Sequence, residues 1–225
     1  MGSQTLSVSF TPTDSTDYTT ATASVTNAVN DSGNLNISSG QTYTFVNGRI
    51  SGNVVMTGGT LVLNNSTVGG NLQMSGGSLL HTNNSTVHGN LQSSGSGTFS
   101  IGPGAIDGNL QIQNIPAGGA QNQICGPTVR GNLQFQNNGT AVLIGSPACH
   151  GNTVSGNLQV SNNSASAEVY SNAVAGNVQI LNNAATTAIF HNSVNGNLQC
   201  SGNNSSLIAG GGNTAARKQG QCAGF

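Results

Sequence analysis

The feature that most limits how this chain can fold is a Gly-Asn pair followed by Leu or Val, which occurs nine times. The intervals between successive pairs are 19, 18, 19, 19, 23, 25, 20 and 20 residues. Such a period is typical of a solenoid, in which each short repeat buries its apolar face against its neighbours. The repeats are rich in Val, Thr, Asn and Gly, and we therefore predict coils of β-strand. The nine glycines are Gly33, Gly52, Gly70, Gly89, Gly108, Gly131, Gly156, Gly176 and Gly196.

Apolar side chains recur at fixed positions relative to these glycines. The positions two before, two after and four after the glycine are almost always apolar. They share one parity, so we place them on one face of a strand. A second apolar set lies seven and nine residues before the glycine. We predict that both sets face the core of the solenoid.

Amide side chains form two further columns. The residue three after the glycine has the opposite parity and is Gln in seven of the nine repeats, which predicts an outward Gln ladder and a weak candidate binding surface. The Asn after each glycine can also hydrogen-bond from coil to coil, and whether it points inward or outward stays open. We expect the glycine to occupy a bend whose backbone conformation a Cβ would oppose. The glutamines are Gln73, Gln92, Gln111, Gln134, Gln159, Gln179 and Gln199.

These patterns predict an all-β fold, a right-handed parallel β-helix (β-solenoid) of about nine coils of 18–25 residues. We expect the solenoid over residues 31–209 and a C-terminal cap over residues 210–225. Residues 1–30 differ: residues 1–3 are interpreted as an added start, and residues 5–12 and 21–29 alternate as strands do around a turn with Asp14 and Asp17. This segment predicts a β-hairpin, which should pack on the solenoid or on another chain because an isolated hairpin is marginal in water.

Charge and hydropathy argue against two classes of partner. The net charge is -1 and only 4% of the residues are charged, whereas nucleic-acid binding requires a Lys- and Arg-rich surface. The sequence has no run of 18 apolar residues, so we expect no membrane insertion. A neutral surface of Asn, Gln and Thr suits glycans or copies of the chain itself as partners.

The four cysteines fall at positions that favour two disulfides. Cys125 and Cys149 lie six and seven residues before their glycines on successive coils, so they should be close across the stack. Cys200 lies on the last coil and Cys222 in the tail. We predict the pairs Cys125–Cys149 and Cys200–Cys222, which suit an oxidising compartment. A zinc site is the alternative, but no CxxC or HxxxH spacing is present.

One small cluster of charged side chains stands out. His88, Asp107 and Arg130 directly precede the glycine in three successive repeats, so they should lie side by side. One interpretation is a polar site that binds or cleaves an acidic polysaccharide. The other is a surface ion pair of Asp107 and Arg130 with His88 beside it, which contributes ~0–1 kcal/mol. A solenoid lyase usually needs a carboxylate cluster for calcium, which the coils lack, and we predict no catalytic residue, no metal and no cofactor.

Two segments resemble known families. The V-x-G-N-L-Q coils and the ending GNLQCSGN…GGGNT…KQGQCAGF resemble uncharacterised secreted bacterial β-solenoid proteins, many of which follow Ig-like repeats. The stretch SFTPTDSTDYTTATASVT is similar to the closing strands of a bacterial Ig-like repeat. The first resemblance extends from about Asp31 to Phe225 and implies an architecture and secretion. It implies no catalytic residues, because none are established for that group.

The expected function is that of an extracellular or cell-surface module of a secreted bacterial protein, structural or adhesive and without catalysis. A carbohydrate-binding or carbohydrate-cleaving β-helix is the first alternative, and a self-assembling fibre subunit is the second. Ice binding is a weaker alternative, because the single outward Thr column is interrupted by Ala105 and Ala173.

Overall fold

The computed structural model describes residues 4–14, 16–27, 30–119 and 121–225 of the chain. All regular secondary structure in these ranges is β-strand. The described ranges therefore contain no helix of the length and hydropathy needed to cross a membrane. The sequence predictions for residues 1–3 and for residues 28–29 lie outside the described residues.

Three parallel sheets confirm the predicted solenoid, with about ten turns where the sequence indicated about nine. Each turn contributes one strand to each of the three sheets, which we call sheets A, B and C. Sheet A follows the Gly-Asn pairs, sheet B comes next along the chain, and sheet C directly precedes the following pair. Strand partners are separated by about one repeat, because each coil stacks on the one before it.

Sheet A has ten strands. They are β4 (Leu35–Ile37), β7 (Val54–Met56), β10 (Leu72–Met74), β13 (Leu91–Ser94), β16 (Leu110–Gln113), β19 (Leu133–Gln136), β22 (Leu158–Ser161), β25 (Val178–Leu181), β28 (Asn197–Ser201) and β30 (Arg217–Gly220).

Sheet B has nine strands. They are β5 (Thr42–Val46), β8 (Thr60–Asn64), β11 (Leu79–Asn83), β14 (Thr98–Ile101), β17 (Asn122–Ile124), β20 (Val142–Ile144), β23 (Ala167–Tyr170), β26 (Thr187–Phe190) and β29 (Ile208–Gly211).

Sheet C has nine short strands. They are β3 (Asn30–Asp31), β6 (Arg49–Ile50), β9 (Thr67–Val68), β12 (Ser85–Val87), β15 (Gly104–Ile106), β18 (Pro127–Val129), β21 (Thr153–Val154), β24 (Ala173–Val174) and β27 (Ser193–Val194).

The strand register reproduces the columns read from the sequence. Leu72 pairs with Val54 on one side and with Leu91 on the other. The positions two before and two after the glycine do not share one strand, however, because the chain turns at the Gly-Asn pair. Val68 belongs to sheet C and Leu72 to sheet A. Both still face the core, and both are fully buried.

The core is one continuous column of apolar side chains enclosed by the three sheets. Its largest members include Phe45, Phe99 and Phe135, which are at most 1% exposed. Burial of a Leu, Ile or Phe side chain contributes about 1.5–3 kcal/mol, and in a solenoid most of that burial is against neighbouring coils. The stability of the rod therefore comes from stacking.

The C-terminal end of the rod is closed by residues of the tail. Gly210 lies in the inward column next to Ile189, and a Cβ on Gly210 would collide with the ring of Phe225. Phe225 is half-buried and packs against the core. The last residue of the chain thus covers apolar surface that the final turn leaves open.

The N-terminal segment forms the predicted hairpin. Strands β1 (Gln4–Phe10) and β2 (Ala21–Asn27) pair in an antiparallel register from Gln4 with Asn27 to Phe10 with Ala21. The Asp14 carboxylate accepts a hydrogen bond from the Thr16 amide at 3.0 Å in the connecting turn. This two-stranded sheet joins none of the three parallel sheets.

Candidate functional site

The Asn after each glycine forms a ladder along the outside of the rod, at the corner between sheets C and A. The backbone nitrogen of Asn53 donates to Oδ1 of Asn34 at 2.8 Å, and the same bond joins each later pair up to Asn177 and Asn197. These side chains are exposed or half-buried. The Asn after each glycine therefore points outward, an orientation that the sequence left open.

This outer ladder explains the glycine of every pair except the first, Gly33, and the expected special backbone conformation is wrong for these glycines. Gly156 does not have a positive φ. A Cβ on Gly156 would instead lie 2.5 Å from Oδ1 of Asn132 and 2.7 Å from the carbonyl oxygen of Gly131. Glycine is required because the preceding coil approaches too closely for any side chain.

Two buried Asn ladders lie inside the rod, and the sequence analysis did not identify them. The AB ladder fills the turns between sheets A and B and consists of Asn138, Asn163, Asn183 and Asn203. The BC ladder fills the turns between sheets B and C and consists of Asn152, Asn172, Asn192 and Asn213. All eight side chains are at most 7% exposed.

Each buried Asn side chain satisfies two backbone groups of the preceding coil. Asn183 accepts from the backbone nitrogen of Asn163 at 3.1 Å and donates to the carbonyl oxygen of Val160 at 3.0 Å. Gln221 ends the AB ladder: its Oε1 accepts from the backbone nitrogen of Asn203 at 3.0 Å, and its Nε2 donates to the Asn203 carbonyl oxygen at 2.8 Å. Buried polar groups at these turns are thus paired, as stability requires.

Asn-Asn pairs at these turns carry the sequence signal for the AB ladder. In the pairs Asn137–Asn138 and Asn182–Asn183 the first Asn is left-handed, with φ of 57° and 54°. The second Asn, Asn138 or Asn183, is buried. Its position seven residues after the glycine recurs in four repeats, and that recurrence could have indicated an inward ladder.

The predicted Gln column runs along the outer face of sheet A. Gln73 and Gln92 are in register, and the pairing continues through Gln199 to Gln219 of β30, which extends the column by one residue. The amides make few bonds to one another. Nε2 of Gln73 lies 3.5 Å from Oε1 of Gln92, and Nε2 of Gln111 donates to Oε1 of Gln113 at 3.2 Å.

A groove lies over the N-terminal part of this column. One section, of about 310 Å³, includes Gln73, Gln92 and Gln111, and an adjoining section of about 260 Å³ includes Asn36 and Gln73. The two sections lie on either side of Val55 and Gln73, and each runs along the rod axis across several coils as a trough. We call the two sections together the sheet A groove.

The charged cluster is assembled as the sequence predicted, at the surface of the rod. Oδ2 of Asp107 accepts a hydrogen bond from Nδ1 of His88 at 2.7 Å, and Oδ1 of Asp107 lies 3.5 Å from Nε of Arg130. The His88 and Arg130 side chains are 47% and 66% exposed. The three residues do not line the sheet A groove. Their arrangement is that of a solvent-screened ion pair with a histidine beside it.

Both predicted cysteine pairs are brought to bonding distance. The Cα atoms of Cys125 and Cys149 are 5.6 Å apart, and those of Cys200 and Cys222 are 5.2 Å apart. The second pair ties β28 to the tail after β30. Within the described ranges, no three His, Cys, Asp or Glu side chains are grouped as a metal ion would require.

An aromatic pair on the outer face of sheet B is a further exposed feature. The rings of Tyr170 and Phe190 stack with centroids 5.2 Å apart, and both side chains are half-buried. Because the ring faces cover each other, they do not form a flat platform for a ligand. The pair is a cross-strand contact that stabilises neighbouring coils.

The three in-register sheets and the amide ladders define the chain as a β-solenoid protein. No protein-family model matches the chain. No significant match is found among curated protein sequences or among solved structures.

Proposed function

We propose that the chain is an extracellular structural module, a stiff rod without catalysis. The observation that carries this proposal is the unbroken hydrogen bonding along the axis. Three parallel sheets and the outer Asn ladder connect successive coils along the rod, and the two buried Asn ladders add bonds between the later coils. In a solenoid each coil contacts only its neighbours, so bonds repeated at every step resist bending wherever a load acts.

The two cysteine pairs support the extracellular part of the proposal. Disulfides form and persist in oxidising compartments and are rare in the cytosol. One pair lies in the middle of the rod and the other at its C-terminal end, where it holds the last turn in place. Such pairs suit a module that must stay folded outside the cell.

The arrangement of the charged cluster supports the part of the proposal that the rod has no catalytic function. Asp107 is engaged by His88 on one oxygen and lies near Arg130 on the other. A general base acts on a substrate that is held within hydrogen-bond reach. The three residues of the cluster line neither section of the sheet A groove, where a substrate could be held.

Electron microscopy of the purified protein tests the proposal. Ten stacked strands at about 4.8 Å spacing predict a straight rod of about 45 Å. Labelling of intact source cells with an antibody tests the location. A bent or globular particle would contradict the stiff rod, and protein confined to the cytosol would contradict the extracellular role.

A further inference from the structure

The sheet A groove contains hydrogen-bonding groups that the fold leaves free. Among the described residues, Nε2 of Gln92 and Oε1 of Gln111 have no partner, whereas the Oδ1 atoms of the outer Asn ladder are already used between coils. An amide offers two donors and an acceptor with two lone pairs. The Gln side chains are thus available to a ligand.

The chemistry of the lining restricts the ligand to an uncharged one. The residues around both sections are Asn, Gln, Ser, Val and Met, without a charged side chain. A phosphate-rich ligand needs cations, and a peptide that adds a strand needs a free sheet edge rather than a face. Hydroxyl groups both donate and accept, as amides do, and they match this lining.

The shape of the groove indicates a polymer. The trough follows the rod axis, and its Gln side chains repeat at the strand spacing of about 4.8 Å. Val55, which is half-buried on the outer face of β7, adds apolar surface beside the amides, which suits the C–H faces of sugar rings. We propose that the sheet A groove binds an uncharged linear polysaccharide lying along the rod. This inference adds a ligand to the proposed extracellular module and rests on that role.

The same column supplies matched controls. Gln179 and Gln199 continue the ladder on strands β25 and β28, but they do not line the groove. Gln92→Ala with Gln111→Ala therefore removes two groove amides, and Gln179→Ala with Gln199→Ala removes two equivalent amides outside it. Thermal unfolding of both variants shows whether the rod is intact.

Calorimetric titration of the full chain with cello-, xylo- and malto-hexaose, and with a hexagalacturonate, tests the inference. We expect saturable binding of at least one neutral hexasaccharide and none of the charged one. The groove variant should bind about tenfold more weakly, since two hydrogen bonds are lost, and the control variant should bind as the wild type does. Preference for the charged sugar, equal loss in both variants, or no neutral ligand overturns the inference.

Self-association through the Gln face is the competing outcome. Light scattering that shows dimers of the wild type, lost in both Gln variants, would assign the face to a second copy and overturn the glycan inference. Rod shape is measured separately by electron microscopy. A straight rod that binds no neutral sugar overturns only this inference, whereas a particle that is not a rod overturns the structural module.

Discussion

Lys218 lies in register with Leu198, in the column of side chains that faces the core of the solenoid. All nine remaining strands of sheet A have Leu or Val at this position. An inward-pointing charge on an edge strand opposes the addition of another strand, because that strand would bury it. Lys218 thus disfavours the addition of a further coil at the C-terminal end of the rod, which argues against the fibre alternative.

The first prediction follows from this charge. Lys218→Leu should allow end-to-end association, and oligomers should become the main species at concentrations where the wild type is monomeric. Light scattering after size-exclusion chromatography measures this. Arg217→Leu is the matched control, because Arg217 is exposed and pairs with Asn197 of the outer ladder. Equal association of both variants would show that surface charge, and not the inward position, limits assembly.

The second prediction concerns the glycine of the Gly-Asn pair. Gly156→Ala should lower the free energy of unfolding by about 1–3 kcal/mol, because its Cβ collides with the preceding coil. Gly33 is the equivalent residue of the first pair, and a Cβ there would meet only Asp31 Oδ1 at 3.9 Å. Gly33→Ala should change the free energy by less than about 0.5 kcal/mol. Urea denaturation compares the two, and a similar loss in both would contradict the close-approach explanation.

The third prediction compares buried and exposed ladders. Asn183→Ala removes bonds to Asn163, Val160 and Asn203 and leaves buried polar groups unpaired. Each such group costs about 1–3 kcal/mol, so we expect a loss of at least about 3 kcal/mol.

Asn177→Ala is the control for the outer ladder. Asn177 accepts from the Asn197 backbone at 2.9 Å at a half-exposed site, where water can replace the bond. We expect a loss of about 1 kcal/mol. Chemical denaturation gives both values, and an Asn177→Ala variant as unstable as Asn183→Ala would mean that solvent does not rescue the outer ladder.

The fourth prediction concerns the disulfides. Their sequence separations are 24 residues for Cys125–Cys149 and 22 for Cys200–Cys222. Closing loops of this length stabilises a fold by about 3 kcal/mol in the chain-entropy model. Replacing either pair by Ala should lower the melting temperature, and dithiothreitol should lower that of the wild type. Insensitivity of the wild type to reductant would contradict a stabilising role.

The fifth prediction tests the charged cluster. Asp107→Asn should change the free energy of unfolding by less than about 1 kcal/mol, because its partners His88 and Arg130 are 47% and 66% exposed and such ion pairs are weak. The same variant decides the enzymatic alternative. If the wild type depolymerises a polysaccharide and Asp107→Asn does not, the cluster is catalytic and the non-enzymatic proposal is wrong.

The sequence by itself determined which residues share a column. Side chains alternate along a strand, and stacked repeats bring equal positions together. The period therefore predicted the core, the Gln column, the cluster of His88, Asp107 and Arg130, and the Cys125–Cys149 pair. The groove over Gln92 was not predictable, because its depth depends on side chains from several coils.

Only the tertiary structure decided what each turn residue does. Asn137 and Asn138 are the same residue type, yet the first is left-handed and the second is buried, because the chain bends there from sheet A to sheet B. Gly156 is required because Asn132 of the preceding coil leaves no room for a Cβ. Gln221 ends the AB ladder because its side chain accepts a hydrogen bond from the Asn203 backbone. These roles depend on distances between coils about one repeat apart, which the order of residues does not specify.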